Sequence, residues 1–481
     1  MEGPSTDLAL VVNSVPYQLV NKDFRSRVLE PEISCQTDFL RLIVFYGADE
    51  SAVDFRPSAV QLLKETWKAD WEFAKSTNAS VFDDGLYVGY QGRIFQPWRI
   101  YHDENLTMTV TYQPHEGRLI ELDNTLAGAS SLRIVVPPQS YSRSTATPDK
   151  PLKGVTIAVK DIFDIEGSKT TLCNRAWAEY HAPKTDTAPC VKRLQDLGAW
   201  VVGKTRLNAM VVREETMECV EWLAPYNPRG DGYQTSSGSS SGSCAALGAY
   251  PWVDFAIGSD RTASLGRPRV RARYEAINNL TGGAVAGIVS RVRDREGPFR
   301  VSQDGTQAGT LPYYKDAIQI VKEFYDGYTK EFGKTPFVHR ALRWRWETAD
   351  TVTPEERDEG WQRIYTYGKW LLDNIFTEGS ILVLPIDEGR PNYRDTPPPA
   401  FGLLSGYSSL YVSPIAGTPE VTAPIGEILY DSEITHRKEP FPISVNVAAP
   451  PGTDLALIDL IHQTLDKGGK PIRLNTGRSI L

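Results

Sequence analysis

The chain has 481 residues, of which 41% are hydrophobic and 23% charged, with 11 Trp, 22 Tyr and 16 Phe. That is enough apolar material for a large buried core, and it excludes a disordered chain. The formal net charge of −8 opposes a general nucleic-acid binder, whose footprint is basic, and favours a protein kept apart from its neighbours by its own charge.

The longest apolar run near the start, Leu8–Val12, lacks preceding basic residues and is too short for a secretory core; no later stretch reaches membrane-spanning length. The five cysteines (Cys35, Cys173, Cys190, Cys219, Cys244) are scattered, odd in number and never spaced C-x-x-C, which opposes a disulfide framework or a zinc site. Sequons at Asn78, Asn105 and Asn279 carry little weight without a signal peptide. An intracellular, cytoplasmic protein is expected.

Residues 1–136 read as an N-terminal α+β domain. Val60, Leu63, Trp67, Trp71 and Ala74 recur at spacings of three and four, the pattern of one helix face. Around Met108, Val110 and Tyr112 the pattern switches to alternation with threonines, predicting a half-buried strand. Residues 137–151 are rich in proline and small polar residues and read as a linker. From 152 to 481 the texture is α/β. Residues 155–159 form an apolar run typical of a strand covered on both faces. Asp186-Thr187 can cap a helix burying Val191, Leu194 and Leu197, and a strand follows over 199–203. Thr353-Pro354-Glu355-Glu356 forms a capping box, opening a helix with Trp361, Ile364, Leu371 and Ile375 on its apolar side. Residues 381–386 read as a late core strand, and no internal repeat is present.

Three pieces could carry chemistry, and each has a plainer reading. Gly198–Thr205 fits the Walker A spacing, but its middle residues are strand-like and a helix precedes them, which opposes a phosphate loop. Ser236–Ser243 has the composition of a flexible linker, yet it sits inside the α/β region before a small-residue segment. Lys160 closes the strand at 155–159. Most lysines there reach solvent, whereas one held among apolar groups loses its charge readily and becomes a usable base.

Taken together, the order Lys160, Ser239 in a Gly/Ser turn, and Ser264 after Gly258-Ser259-Asp260 resembles the amidase signature family. Residues 152–161 (LKGVTIAVKD) match its lysine strand, and 237–243 (SGSSSGS) match its Gly/Ser turn. Asp186–Thr205 and Asn227-Pro228-Arg229 also look like family segments, while Ser413–Pro419 and Pro450–Asp454 resemble its closing strands. The likeness covers roughly 152–268 and 313–481, and looks closest to fungal members with an extra N-terminal domain, often associated with secondary metabolism.

The resemblance implies an α/β fold with a mixed β-sheet core flanked by helices, and a serine hydrolase or acyl transferase acting on an amide or ester of a small molecule. It implies no metal or organic cofactor, no nucleic acid and no membrane, and it allows a homodimer. By the same resemblance, neutral Lys160 takes a proton from Ser239, whose preceding peptide bond is cis. Ser239 takes the proton of Ser264, and Ser264 attacks the carbonyl. The backbone of Arg261, Thr262 and Ala263 would bind the oxyanion, with Ser240 and Asp260 in support.

Two departures stand out. The turn before Ser264 reads Arg-Thr-Ala where the family places small residues. Residues 269–312 match none of the family's substrate-binding section, and 261–300 hold nine arginines and no lysine. A deletion or a mispredicted coding segment explains this as readily as a basic patch. A catalytically impaired homologue serving as a binding or scaffold protein is therefore the second reading. A nucleotide-binding protein and a dehydratase rank below both.

Overall fold

A computed structural model describes residues 6–13, 41–46, 57–74, 85–91, 93–115, 118–122, 132–138, 146–212, 214–236, 238–259, 270–272, 311–384, 391–398, 400, 412–470 and 472–481. In chain order the first part holds β1 (Thr6–Asn13), β2 (Leu42–Tyr46), α1 (Pro57–Gln61), β3 (Asp70–Ala74), β4 (Gly85–Tyr90) and β5 (Arg93–Phe95). Four strands follow: β6 (Arg99–His102), β7 (Met108–His115), β8 (Arg118–Glu121) and β9 (Arg133–Val136). The middle of the chain supplies β10 (Thr156–Lys160), α2 (Arg175–Tyr180), α3 (Pro189–Asp196), β11 (Trp200–Thr205), α4 (Ser241–Ala249), β12 (Phe255–Ser259) and β13 (Val270–Ala272). Next come α5 (Leu311–Phe332), α6 (Arg340–Asp350), α7 (Pro354–Asn374) and β14 (Leu382–Leu384). The chain closes with α8 (Val412–Ala416), β15 (Glu420–Asp431), β16 (Lys438–Ala448) and α9 (Asp454–Lys467).

The fold is α/β with mixed sheets and helices. By compactness the chain divides into two units, one of Met1–His102, Thr111–Ile157 and Pro189–Val202, the other of Asp103–Val110, Ala158–Ala188 and Gly203–Leu481. A five-stranded sheet of order β3-β2-β1-β4-β5 belongs to the first; β1 runs parallel to β2 and antiparallel to β4. A six-stranded sheet has the order β13-β12-β10-β11-β7-β8. The second unit contains the sheet β14-β16-β15, whose inner face packs Val421, Ala423, Val445 and Val447 on Leu457, Ile461 and Leu465 of α9. Phe324 and Tyr328 of α5 pack with Ala341 and Leu342 of α6 and with Ala176 of α2. Among the described residues no helix is long and apolar enough to cross a membrane.

Several expected elements are present. β10 is buried along its whole length, α3 buries Val191, and the Thr353–Glu356 capping box opens α7 with Pro354 at its first position. Three expectations need correction. The helix read over 60–74 ends at Trp67, after α1 has widened into a π turn over Leu62–Trp67. Lys68 then turns left-handed, and Trp71 pairs with Ile43 as part of β3. An alternating D-W-E-F-A segment satisfies its backbone better beside a free strand than as a further turn.

The strand at 107–112 is not half-buried. Thr107 and Thr111 are buried as well as Met108 and Tyr112, because the Thr107 hydroxyl donates to Asp103 and the Thr111 hydroxyl to the Arg133 carbonyl. Of the two expected closing strands, 413–419 begins as helix α8, and 450–454 is the turn into α9; the strands are β15 and β16 beside them. Of the 137–151 segment, 139–145 is outside the described residues, and of the arginine-rich 261–300 only β13 is described.

Candidate active site

β10 is an apolar strand that ends on a cation, and this places Lys160 where no water reaches it: the residue is fully buried. Its Nζ is 2.8 Å from Ser239 Oγ, 2.9 Å from Ser240 Oγ and 2.9 Å from Ser259 Oγ, with the Ser259 carbonyl at 3.4 Å. Three hydroxyls thus converge on one amine. The Ser240 hydroxyl donates to the Ser259 carbonyl at 3.2 Å, so it presents a lone pair to Nζ and accepts from it. Nζ is placed to donate to each of the three hydroxyls.

The Gly/Ser segment reaches the lysine because its residues are small. Gly238–Ser239 is a cis peptide bond, and α4 begins one residue after Ser240. At Gly242 an added Cβ would come 2.5 Å from the Arg206 nitrogen and 2.6 Å from the Thr107 carbonyl oxygen. The helix therefore touches the backbone of the neighbouring strands directly, with Gly242 N–H donating to the Arg206 carbonyl. Ser243 fixes the next position by donating to the Ile257 carbonyl at 3.1 Å and meeting Thr205 Oγ1 at 2.8 Å. Gly258 in β12 makes room for Ser240, whose Oγ would be 2.9 Å from a Cβ there. What composition alone reads as a linker is a packed turn and helix.

Asp161, the residue after Lys160, is also fully buried. It pairs with Lys204 Nζ at 2.8 Å, accepts from the Thr171 hydroxyl, and receives the Thr171 N–H at 3.3 Å. Burial pushes the carboxyl up, and Lys204 opposes it. Lys204 also donates to the Lys169 carbonyl and to Thr170 Oγ1, both at 2.9 Å. The Walker-like lysine is thus an internal ion-pair partner on strand β11, not part of a phosphate loop.

Of the residues expected at the site, Lys160, Ser239 and Ser240 come together. Asp260, Arg261, Thr262, Ala263 and Ser264 are outside the described residues. Ser259, Asp161, Lys204, Thr171 and Asn208 were not expected to serve the site. Asp161 stood inside the lysine motif with no role, and Ser259 inside the Gly-Ser-Asp motif. Asn208, whose N–H donates to the Ser239 carbonyl at 3.1 Å, carries no sequence signal of its own.

Residues 138–268 match the model of the amidase family. The chain is similar to Amidase 1 of Arabidopsis thaliana, 37% identical over 163 residues that cover 34% of this chain and 36% of that protein. It is also similar to Amidase 1 of Oryza sativa subsp. japonica, 38% identical over 153 residues, 32% of this chain and 32% of that protein. The chain thus spans about a third of the length of these curated relatives. A solved 6-aminohexanoate cyclic dimer hydrolase is similar at a TM-score of 0.45 and 15% identity, over 68% of this chain and 86% of that one. The matched stretch contains Lys160, Ser239 and Ser240, and ends four residues beyond Ser264.

Proposed function

We propose that the protein is an amidase-like serine hydrolase or acyl transferase that cleaves a C–N amide bond, or an ester, of a small molecule through a Ser-Ser-Lys relay. The observation that carries this reading is the fully buried Lys160 Nζ at 2.8 Å from Ser239 Oγ, in the stretch that matches the amidase family. The distance is within reach for direct proton transfer. In the relay, Lys160 accepts the Ser239 proton, Ser239 accepts that of Ser264, and the Ser264 oxygen forms the new bond to the carbonyl carbon. The C–N bond breaks as the proton returns to the leaving amine, and water or a second acceptor then releases the acyl group. The oxyanion is assigned to the backbone of Arg261, Thr262 and Ala263, with Asp260 bracing the turn. A cytoplasmic role in fungal secondary metabolism belongs to the same reading, on the sequence resemblance.

A fluorophosphonate probe on the purified chain tests it. Parent protein is expected to label, Ser264→Ala not at all, and Lys160→Ala at least about a hundredfold more slowly, the size expected for loss of a general base. A parent that folds but does not label supports the impaired, scaffold-type homologue instead. Lys160→Ala labelling as fast as the parent removes the lysine base.

A further inference from the structure

A buried acid and a buried imidazole face each other beneath the serine turn, and the relay uses neither. His339, the N-cap of α6, has Nε2 3.1 Å from the Ala209 carbonyl. A carbonyl oxygen only accepts, so Nε2 carries the hydrogen. Nδ1 takes the Leu342 N–H at 3.4 Å and is therefore the bare nitrogen. Yet Nδ1 is also 3.3 Å from Glu214 Oε2, with both side chains about 3% exposed. Two buried acceptors at that separation require a proton between them. The other Glu214 oxygen accepts the Ala209 N–H at 3.0 Å and the Cys219 thiol at 3.3 Å. Ala209 is thus gripped at its N–H by the carboxyl and at its carbonyl by the imidazole.

The grip is one residue from the site. Asn208 donates its backbone N–H to the Ser239 carbonyl. Its side-chain Oδ1 is buried without a hydrogen-bond partner among the described residues, and a Cβ on Gly238 would fall 1.6 Å from it. Gly238 and Ser239 therefore rest on Asn208, and Asn208 is held through Ala209.

We propose that Glu214 is a positioning residue for the reaction: sharing one proton with His339, it clamps Ala209 and Asn208 and so keeps the Ser239 turn against Lys160. The proposal rests on the relay read for the site. Burial pushes the Glu214 carboxyl up to about 7 and the His339 imidazole down to about 4, which puts the shared proton on the carboxyl below neutrality. Other charges face the pair from the same elements. Glu218 and Glu221 raise Glu214 further, Arg345 of α6 holds His339 down, and Glu218 itself pairs with Arg340 of α6 at 2.8 Å. The buried thiols of Cys219 and Cys173 sit among these groups and stay protonated. When the carboxyl ionises, its charge meets the bare Nδ1, and the clamp loosens.

The test compares the pH profile of fluorophosphonate labelling in the parent, Glu214→Gln and Glu214→Ala. Gln offers an amide donor to Nδ1 at every pH. Its rate is expected to match the parent within about twofold below about pH 6 and to hold level above about pH 7, where the parent's falls. Glu214→Ala is expected to be slower throughout. A falling limb that is the same in parent and Glu214→Gln overturns the proposal. Amide hydrogen exchange of the peptide carrying Asn208, scaled for intrinsic rate, reads the clamp without chemistry. Above about pH 7 the parent is expected to lose protection there and Glu214→Gln to keep it. If the parent never labels while this difference is found, the hydrolase reading falls and the clamp stands. If exchange in the two proteins is alike on both sides of neutrality, the clamp falls whatever the labelling shows.

Discussion

Two lysines at strand ends are both fully buried. Lys204 meets a carboxylate at 2.8 Å, whereas Lys160 is ringed by the hydroxyls of Ser239, Ser240 and Ser259. Hydroxyls can both accept from an amine and donate to one, which suits a base. Sequence marked Lys160 through its motif but could not separate the two environments, since each lysine follows an apolar strand. Glycine carries the other residue-scale requirement. Gly242→Ala forces a methyl group into the backbone of Arg206 and Thr107, neither of which can step aside as a side chain would. It is expected to destabilise the protein by about 3 kcal/mol or more, read as a lower denaturation midpoint in urea, and to slow probe labelling because α4 carries the turn. Unchanged stability would mean that α4 does not seat on those strands.

At the scale of elements, local signals were read well where they decide the outcome locally. The α7 capping box satisfies its own end groups, so four adjacent residues suffice to specify it. The 60–74 stretch shows the opposite. Its apolar spacing fits a helix face, but a left-handed Lys68 and the open edge of β2 turn Asp70–Ala74 into a strand. Pairing with a strand distant in sequence is invisible to a local period. The Asp161–Lys204 ion pair joins the ends of β10 and β11, adjacent strands of the six-stranded sheet, beside an Asp161 N–H bond to the Thr205 carbonyl. Lys204→Met strands a buried carboxylate and is expected to cost about 3–5 kcal/mol in denaturant unfolding. Adding Asp161→Asn is expected to recover at least about half of that loss, because the uncompensated charge is gone. Additive losses in the double variant would show that the pair is not coupled.

For the whole molecule, the Glu214–His339 pair ties global stability to pH. The Glu214 carboxyl rises from an ordinary 4.5 to about 7 on folding, so the native state holds a proton that the unfolded chain releases. Its contribution is complete below about pH 4.5 and is lost as pH rises through about 7. Relative to Glu214→Gln, which has no such proton, the parent is expected to lose stability across that window, measured as the difference in unfolding free energy at successive pH values. A difference that stays constant from acid to neutral pH would place the Glu214 carboxyl at its ordinary value.

Composition, the covered strand at 155–159, the capping box and the order of Lys160 and Ser239 were settled by sequence. Each depends on residues near one another in the chain, or on a residue type that few other roles explain. Tertiary structure alone brought Ser259 and Ser240 onto the amine, gave Asp161 its partner, and set Asn208, Glu214 and His339 beneath the turn. Those contacts join residues far apart along the chain, up to 125 positions between Glu214 and His339, and their energies come from burial and from pairing across elements. No local pattern encodes such encounters; they exist only once the core has closed around them.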